Sequence, residues 1–132
     1  MTQYKKMLTL FNNITEQLTD LEKKILAPML LELLRDTHED RRITGKRISD
    51  WFKMAGYSSV SEVRVRKLIN YIRVMNMAHP KVLIGASTGY FLTEFITVID
   101  KQIESMQGRV DSQVAVIDSF KAQRENLKRL QR

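Results

Sequence analysis

From Ile96 onward the seam residues alternate at spacings of three and four without a break: Ile96, Ile99, Ile103, Met106, Val110, Gln113, Ile117, Phe120, Arg124, Leu127 and Gln131. The mean spacing of 3.5 lies close to the 3.6-residue helical turn, so these positions form one stripe along a continuous helix. Thr93 is the expected cap, and Gly108 is the sole helix-weakening residue after it. A helix of about 38 residues spans roughly 57 Å, whereas a compact chain of this length has a radius of gyration of about 14 Å. Such a helix projects, bends back or finds a partner. Ile96, Ile99, Ile103, Met106, Val110, Ile117, Phe120 and Leu127 are therefore read as an oligomer interface, with a homodimer expected. β-Branched residues at successive a positions favour a two-stranded parallel coil, which Ile99 in place of Leu at the first d weakens, while Gln113 and Arg124 interrupt the seam and set register. Val114 and Val116 widen the apolar surface, and the apolar face of residues 4–18 is a candidate cover from the same or a second chain.

The preceding residues read as short elements. Tyr4, Met7, Leu8, Phe11, Ile14 and Leu18 give an amphipathic helix pattern over 1–18. Thr19-Asp-Leu-Glu22 has capping-box spacing, and a broad apolar stripe (Leu21, Ile25, Met29 and Leu33 with Leu26, Leu30 and Leu34) follows to about Thr37. Pro28 falls inside that stripe, so the helix either kinks there or restarts with Pro28 in a first turn. A charged connector, His38 to Arg42, leads to Ile43 as a single short strand. The helix expected over Lys46–Met54 places Ile48, Trp51 and Phe52 on one face, and Gly56 suits the left-handed position that ends it. Ser59-Val-Ser-Glu62 reads as a second capping box before a helix to about Met75. Lys81–Ile84 and Tyr90–Leu92, around Gly85-Ala-Ser-Thr-Gly89, read as a hairpin.

Charge is distributed unevenly. Asp40–Lys81 holds ten Lys/Arg against three Asp/Glu, a balance of +7, while the remaining residues hold twelve of each sign. A phosphate backbone rewards clustered cations, so one basic block in an otherwise neutral chain points to nucleic acid.

Ile43-Thr-Gly-Lys-Arg-Ile48, Glu62-Val-Arg-Val-Arg-Lys-Leu-Ile-Asn70 and Ile84-Gly-Ala-Ser-Thr-Gly-Tyr-Phe-Leu92, taken in order, resemble the winged helix-turn-helix modules of biotin-repressor-like regulators and small phage and prophage proteins. The resemblance covers about residues 20–130. It implies a mainly α fold with a small β-hairpin wing, a long C-terminal helix carrying the heptad pattern, and a tendency to bind DNA. Two departures are Pro28 and the lengthened turn Gly-Tyr-Ser-Ser59. The expected domains are an N-terminal helix over 1–18, the winged unit over 19–92 and the long helix over 93–132.

Projecting the second helix of the unit at 100° per residue gathers Val65, Leu68, Ile69, Ile72 and Met75 as the core side. Glu62, Val63, Arg66, Lys67, Asn70 and Arg73 fall opposite. Arg reads guanine, Asn reads adenine and small apolar groups meet the thymine methyl, so Arg66, Asn70 and Val63 are the candidate base readers. Ser59 and Ser61 at the helix start, Lys46 and Arg47 on the preceding helix, Lys67, Arg73, and Lys81, Ser87 and Thr88 in the wing are candidate backbone contacts.

With no cysteine, the chain has no disulfide, thiolate metal site or cysteine nucleophile. The glycines of 85–89 lack a phosphate-loop lysine, and His38 and His79 are too far apart in sequence to suggest a metal site. No enzyme, cofactor, metal, small-molecule ligand or membrane segment is expected, and the N-terminus carries no secretory signal, so a cytoplasmic location is expected. The leading expectation is a dimeric duplex DNA binder, a phage or prophage regulator or replication accessory. The alternative is a protein–protein module that uses the winged unit as scaffold and the long helix for assembly.

Overall fold

A computed structural model describes residues 13, 14 and 17–132. The helix expected over 1–18 lies almost wholly outside the described residues. The capping box forms with both of its bonds: Thr19 N–H donates to Glu22 Oε1 at 2.9 Å, and Glu22 N–H donates to Thr19 Oγ1 at 3.2 Å. The chain then makes a wide π-helical segment, Glu22–Leu26, before helix α1, Ala27–Leu34. Pro28 explains the widening. Its ring crowds the Lys24 carbonyl, for which it also has no N–H, and the turn before it is opened, with the Ala27 N–H donating to the Glu22 carbonyl five residues back. Leu21, Leu26 and Ala27 all keep right-handed helical backbone angles, so the helix does not restart at Pro28 but runs through the widened turn and past it. Leu26, Ala27, Leu30 and Leu34 are buried, while Leu21 and Ile25 of the same stripe are exposed.

Thr44 caps helix α2, Gly45–Met54, with its Oγ1 accepting from Arg47 N–H at 3.2 Å. Ile48 and Phe52 enter the core, whereas Trp51 lies at its margin, stacked edge-on against Phe52. Gly56 ends the helix at φ 97, in the left-handed region where a side chain is strained. The Gly56 N–H donates to Lys53 and the Tyr57 N–H to Phe52, the paired bonds of a Schellman end, and the Tyr57 and Phe52 rings meet edge to face. The buried Ser49 hydroxyl donates to the Val60 carbonyl at 2.6 Å and holds the following turn against α2.

Helix α3, Glu62–Val74, is capped by Ser61 rather than Ser59: the Ser61 Oγ accepts from Arg64 N–H at 3.3 Å. The longer turn moves the start two residues on, so the expected Ser59 box does not form. Val65, Leu68, Ile69 and Ile72 are buried as the projection requires. Met75 is not; it is 43% exposed, because the helix ends before it and Asn76 turns left-handed at φ 53. Met77 packs against the core instead.

Strands β1, Val82–Ala86, and β2, Gly89–Thr93, form an antiparallel hairpin with Leu83 opposite Leu92 and Gly85 opposite Tyr90. Pairing extends to Ala86 and Gly89, so the loop is Ser87-Thr88 alone, shorter than the five-residue turn expected. Leu83 and Leu92 join the core, with Ile84 and Phe91 buried on the opposite face. Ile43 forms its expected single strand residue, exchanging two bonds with Tyr90 at 3.0 and 2.8 Å. Thr37 links α1 to the hairpin: its hydroxyl donates to the Leu34 carbonyl at 2.6 Å and accepts from Leu92 N–H at 3.1 Å.

Helix α4, Ile96–Leu130, begins at Phe95, not Thr93. Thr93 is extended and paired with Val82, so the strand has taken the residue expected to cap the helix. The 35-residue helix passes through Gly108 unbroken. The chain divides between Glu94 and Phe95 into two compact units. No helix of the described residues is long and apolar enough to cross a membrane.

Candidate nucleic-acid interface and helix seam

The buried side of α3 fixes what its other side presents. With Val65, Leu68, Ile69 and Ile72 inside, Val63, Arg66 and Asn70 are exposed on one helical face, and Val63 keeps 49% of its surface open to solvent. Lys67 and Arg73 flank that face half-buried. Lys46 and Arg47 are exposed in the first turn of α2, and Ser59 and Ser61 are exposed in the turn before α3. The structure thus brings Arg66, Asn70 and Val63 together on one surface.

Some of the candidate backbone contacts also have partners within the protein. Arg73 Nε donates to the Leu83 carbonyl at 3.2 Å and shares a small cleft with Lys81, where the end of α3 meets β1. A Cβ at Gly85 would stand 2.6 Å from the Tyr90 ring and 2.7 Å from the Arg73 guanidinium, so any side chain here would require those groups to shift. The Ser61 hydroxyl serves as cap. Thr88 Oγ1 accepts from Arg42 Nη1 at 2.6 Å, at the tip of the hairpin.

Arg42 has a role that spacing did not reveal. Its guanidinium lies 4.7 Å from the centre of the Phe91 ring, and its Nε donates to the Glu39 carbonyl at 2.8 Å. One side chain therefore braces the connector, the strand and the loop. Its membership of the basic block was the available signal, but position in a charged connector points to solvent, not to a partner 46 residues away.

Arg64 is the other residue not singled out beforehand. Its Nε donates to Glu22 Oε2 at 2.8 Å, its Nη2 pairs with Glu22 Oε1, and the same Nη2 donates to the Gln17 carbonyl at 3.1 Å. Burial acts to raise the Glu22 carboxyl, but the Arg64 and Thr19 hydrogen bonds and the guanidinium charge outweigh it and hold the group below its ordinary value. Arg64 is committed to the fold, which leaves Arg66 as the arginine of that turn that faces solvent.

In α4 no described residue is buried. Ile96, Ile103, Met106, Val110, Ile117, Phe120 and Leu127 are all exposed, between 44% and 70%, and Ile99 is half-buried. Phe120, Gln123, Arg124, Leu127, Lys128 and Gln131 line a shallow groove on the helix, and all six fall at a, d, e or g of the heptad.

Among the described residues no group of three His, Asp or Glu side chains is placed to hold a metal ion. Comparison with known proteins finds no matching family model, no matching curated protein and no matching solved structure.

Proposed function

We propose that residues 19–92 act as a winged helix-turn-helix unit that binds duplex DNA, with α3 entering the major groove and the hairpin serving as wing. The observation that carries this reading is the solvent-facing side of α3. It presents Arg66, Asn70 and Val63 together, inside the 42 residues that hold a charge balance equal to that of the whole chain. Arg66 and Asn70, one helical turn apart, read base edges, and Val63 lies against a thymine methyl. Lys46, Arg47, Ser59, Lys67, Arg73, Lys81 and Ser87 contact the phosphate backbone and fix register. The Ile43–Tyr90 bridge and the Arg42 brace support the wing reading, since they tie the hairpin to the helical body. The heptad stripe supports a dimer through α4, and two joined modules turn weak single-site binding into usable affinity. A phage or prophage regulator or replication accessory is the role this suits.

Gel shifts against a random-sequence duplex pool test the reading. The wild type is expected to select a sequence class, and Arg66→Ala with Asn70→Ala to lose that selection while retaining salt-sensitive binding. Failure to retain any DNA at about 50 mM salt, where phosphate contacts bind tightest, would falsify it. The exposed apolar stripe of α4 favours one second reading, a protein-assembly module, and that outcome would leave it standing.

A further inference from the structure

The stripe on α4 repeats every 3.5 residues over about 52 Å, so it fits a helix of the same period and length. The eighteen residues before Thr19, even as one helix, span roughly 27 Å, half of what the stripe offers. A second copy of α4 supplies the whole length.

The two orientations of such a pair differ in what they bring together. In a parallel pair like positions face each other, so Arg124 meets Arg124 within the seam and Gln113 meets Gln113. Charge is also segregated along the helix. Up to Asp118 it carries four acidic and two basic residues, and from Ser119 to Leu130 four basic and one acidic. Parallel pairing lays the basic end along itself. Antiparallel pairing lays it along the acidic end of the partner.

Resting on the dimer reading above, we propose that α4 pairs with a second copy in antiparallel orientation, with Val110 facing the partner's Gln113. In that register every a position from 96 to 124 meets a d position. Ile96 packs on Leu127, Ile103 on Phe120, and Arg124 lies across Ile99 with its head beside Asp100. Asp100 and Lys121 face each other across the seam, once at each end of the pair. The two interrupting residues thus meet apolar neighbours and an opposite charge in place of their own copies.

The native chain has no cysteine, so single introduced thiols report orientation without background. Full-length Ile96→Cys and Leu127→Cys, distinguished by a size tag, are oxidised separately and as a mixture. The expected disulfide joins one chain of each kind and is absent from either variant alone. Disulfides within each variant alone, or none in a sample that light scattering shows to be dimeric, overturn the antiparallel pair and leave the dimer. A monomer, or an assembly of more than two chains, overturns the dimer reading with it. Both substitutions are at exposed positions, and helical content by circular dichroism confirms folding.

Discussion

Arg64 grips Glu22 through both carboxylate oxygens, joining the first turn of α3 to the capping box 42 residues earlier in the chain. The carboxylate side chain is 8% exposed and the guanidinium 26%. Thr19 holds Glu22 from one side and Arg64 from the other, so a local cap and a long-range ion pair share one carboxylate.

Removing one partner leaves the other charge in a poorly solvated place. Arg64→Ala is expected to cost roughly 2–3 kcal/mol in urea unfolding, with Glu22→Gln costing less because the amide still accepts from Thr19.

The pH dependence has a defined sign. Glu22 is held below its ordinary value of 4.5. Its contribution is therefore present above that value, where the unfolded chain is also ionised, and is lost as pH falls through the lower folded value. Unfolding free energy of the wild type is expected to decline over that acid window more steeply than that of Arg64→Ala. Parallel curves would show that the pair contributes no linkage.

Gly85 is crowded by its neighbours. Gly85→Ala is expected to lose about 1–3 kcal/mol, since the Tyr90 ring and the Arg73 guanidinium must both move. The same change in a Tyr90→Ala background is expected to cost less, and thermal unfolding of the four proteins of that cycle measures the coupling.

Thr37→Val keeps the shape of the buried side chain and removes its oxygen. The Leu92 N–H then has no acceptor at that point, and the expected loss is about 1–3 kcal/mol. Hydrogen exchange at Leu92 is expected to accelerate by more than exchange at core amides of α3.

Backbone and base contacts separate by salt. If Lys46 and Arg47 each neutralise one phosphate, each alanine variant lowers the slope of log affinity against log salt by about 0.9, equally on all sequences. Asn70→Ala leaves that slope unchanged and reduces discrimination by about 1–3 kcal/mol at one base pair.

What was legible in the sequence is what short-range chemistry determines. Thr19 and Glu22 are three residues apart, and their spacing alone specifies both bonds of the cap. The left-handed turn at Gly56, the strand at Ile43 and the exposed side of α3 follow equally from local pattern. The errors arise where two local signals compete. Ser59 and Ser61 both suit a cap, and the Ser49–Val60 bond helps fix the turn before the second. Thr93 suits both a cap and a strand, and pairing with Val82 decides. Arg64 and Arg66 are indistinguishable as letters, yet one faces Glu22 and the other solvent. No spacing rule connects positions 22 and 64, because tertiary packing brings them together.

The hairpin has a consequence for its own edges. A two-stranded sheet ordinarily offers two open rows of backbone groups to any passing strand. Here Ile43 takes both outward groups of Tyr90, Thr37 takes the outward N–H of Leu92, and Arg73 takes the outward carbonyl of Leu83. The β2 edge is thus engaged by its own chain at Tyr90 and Leu92, and the β1 edge at the Leu83 carbonyl. Addition of a foreign strand at these rungs would first have to displace contacts that the fold makes for itself.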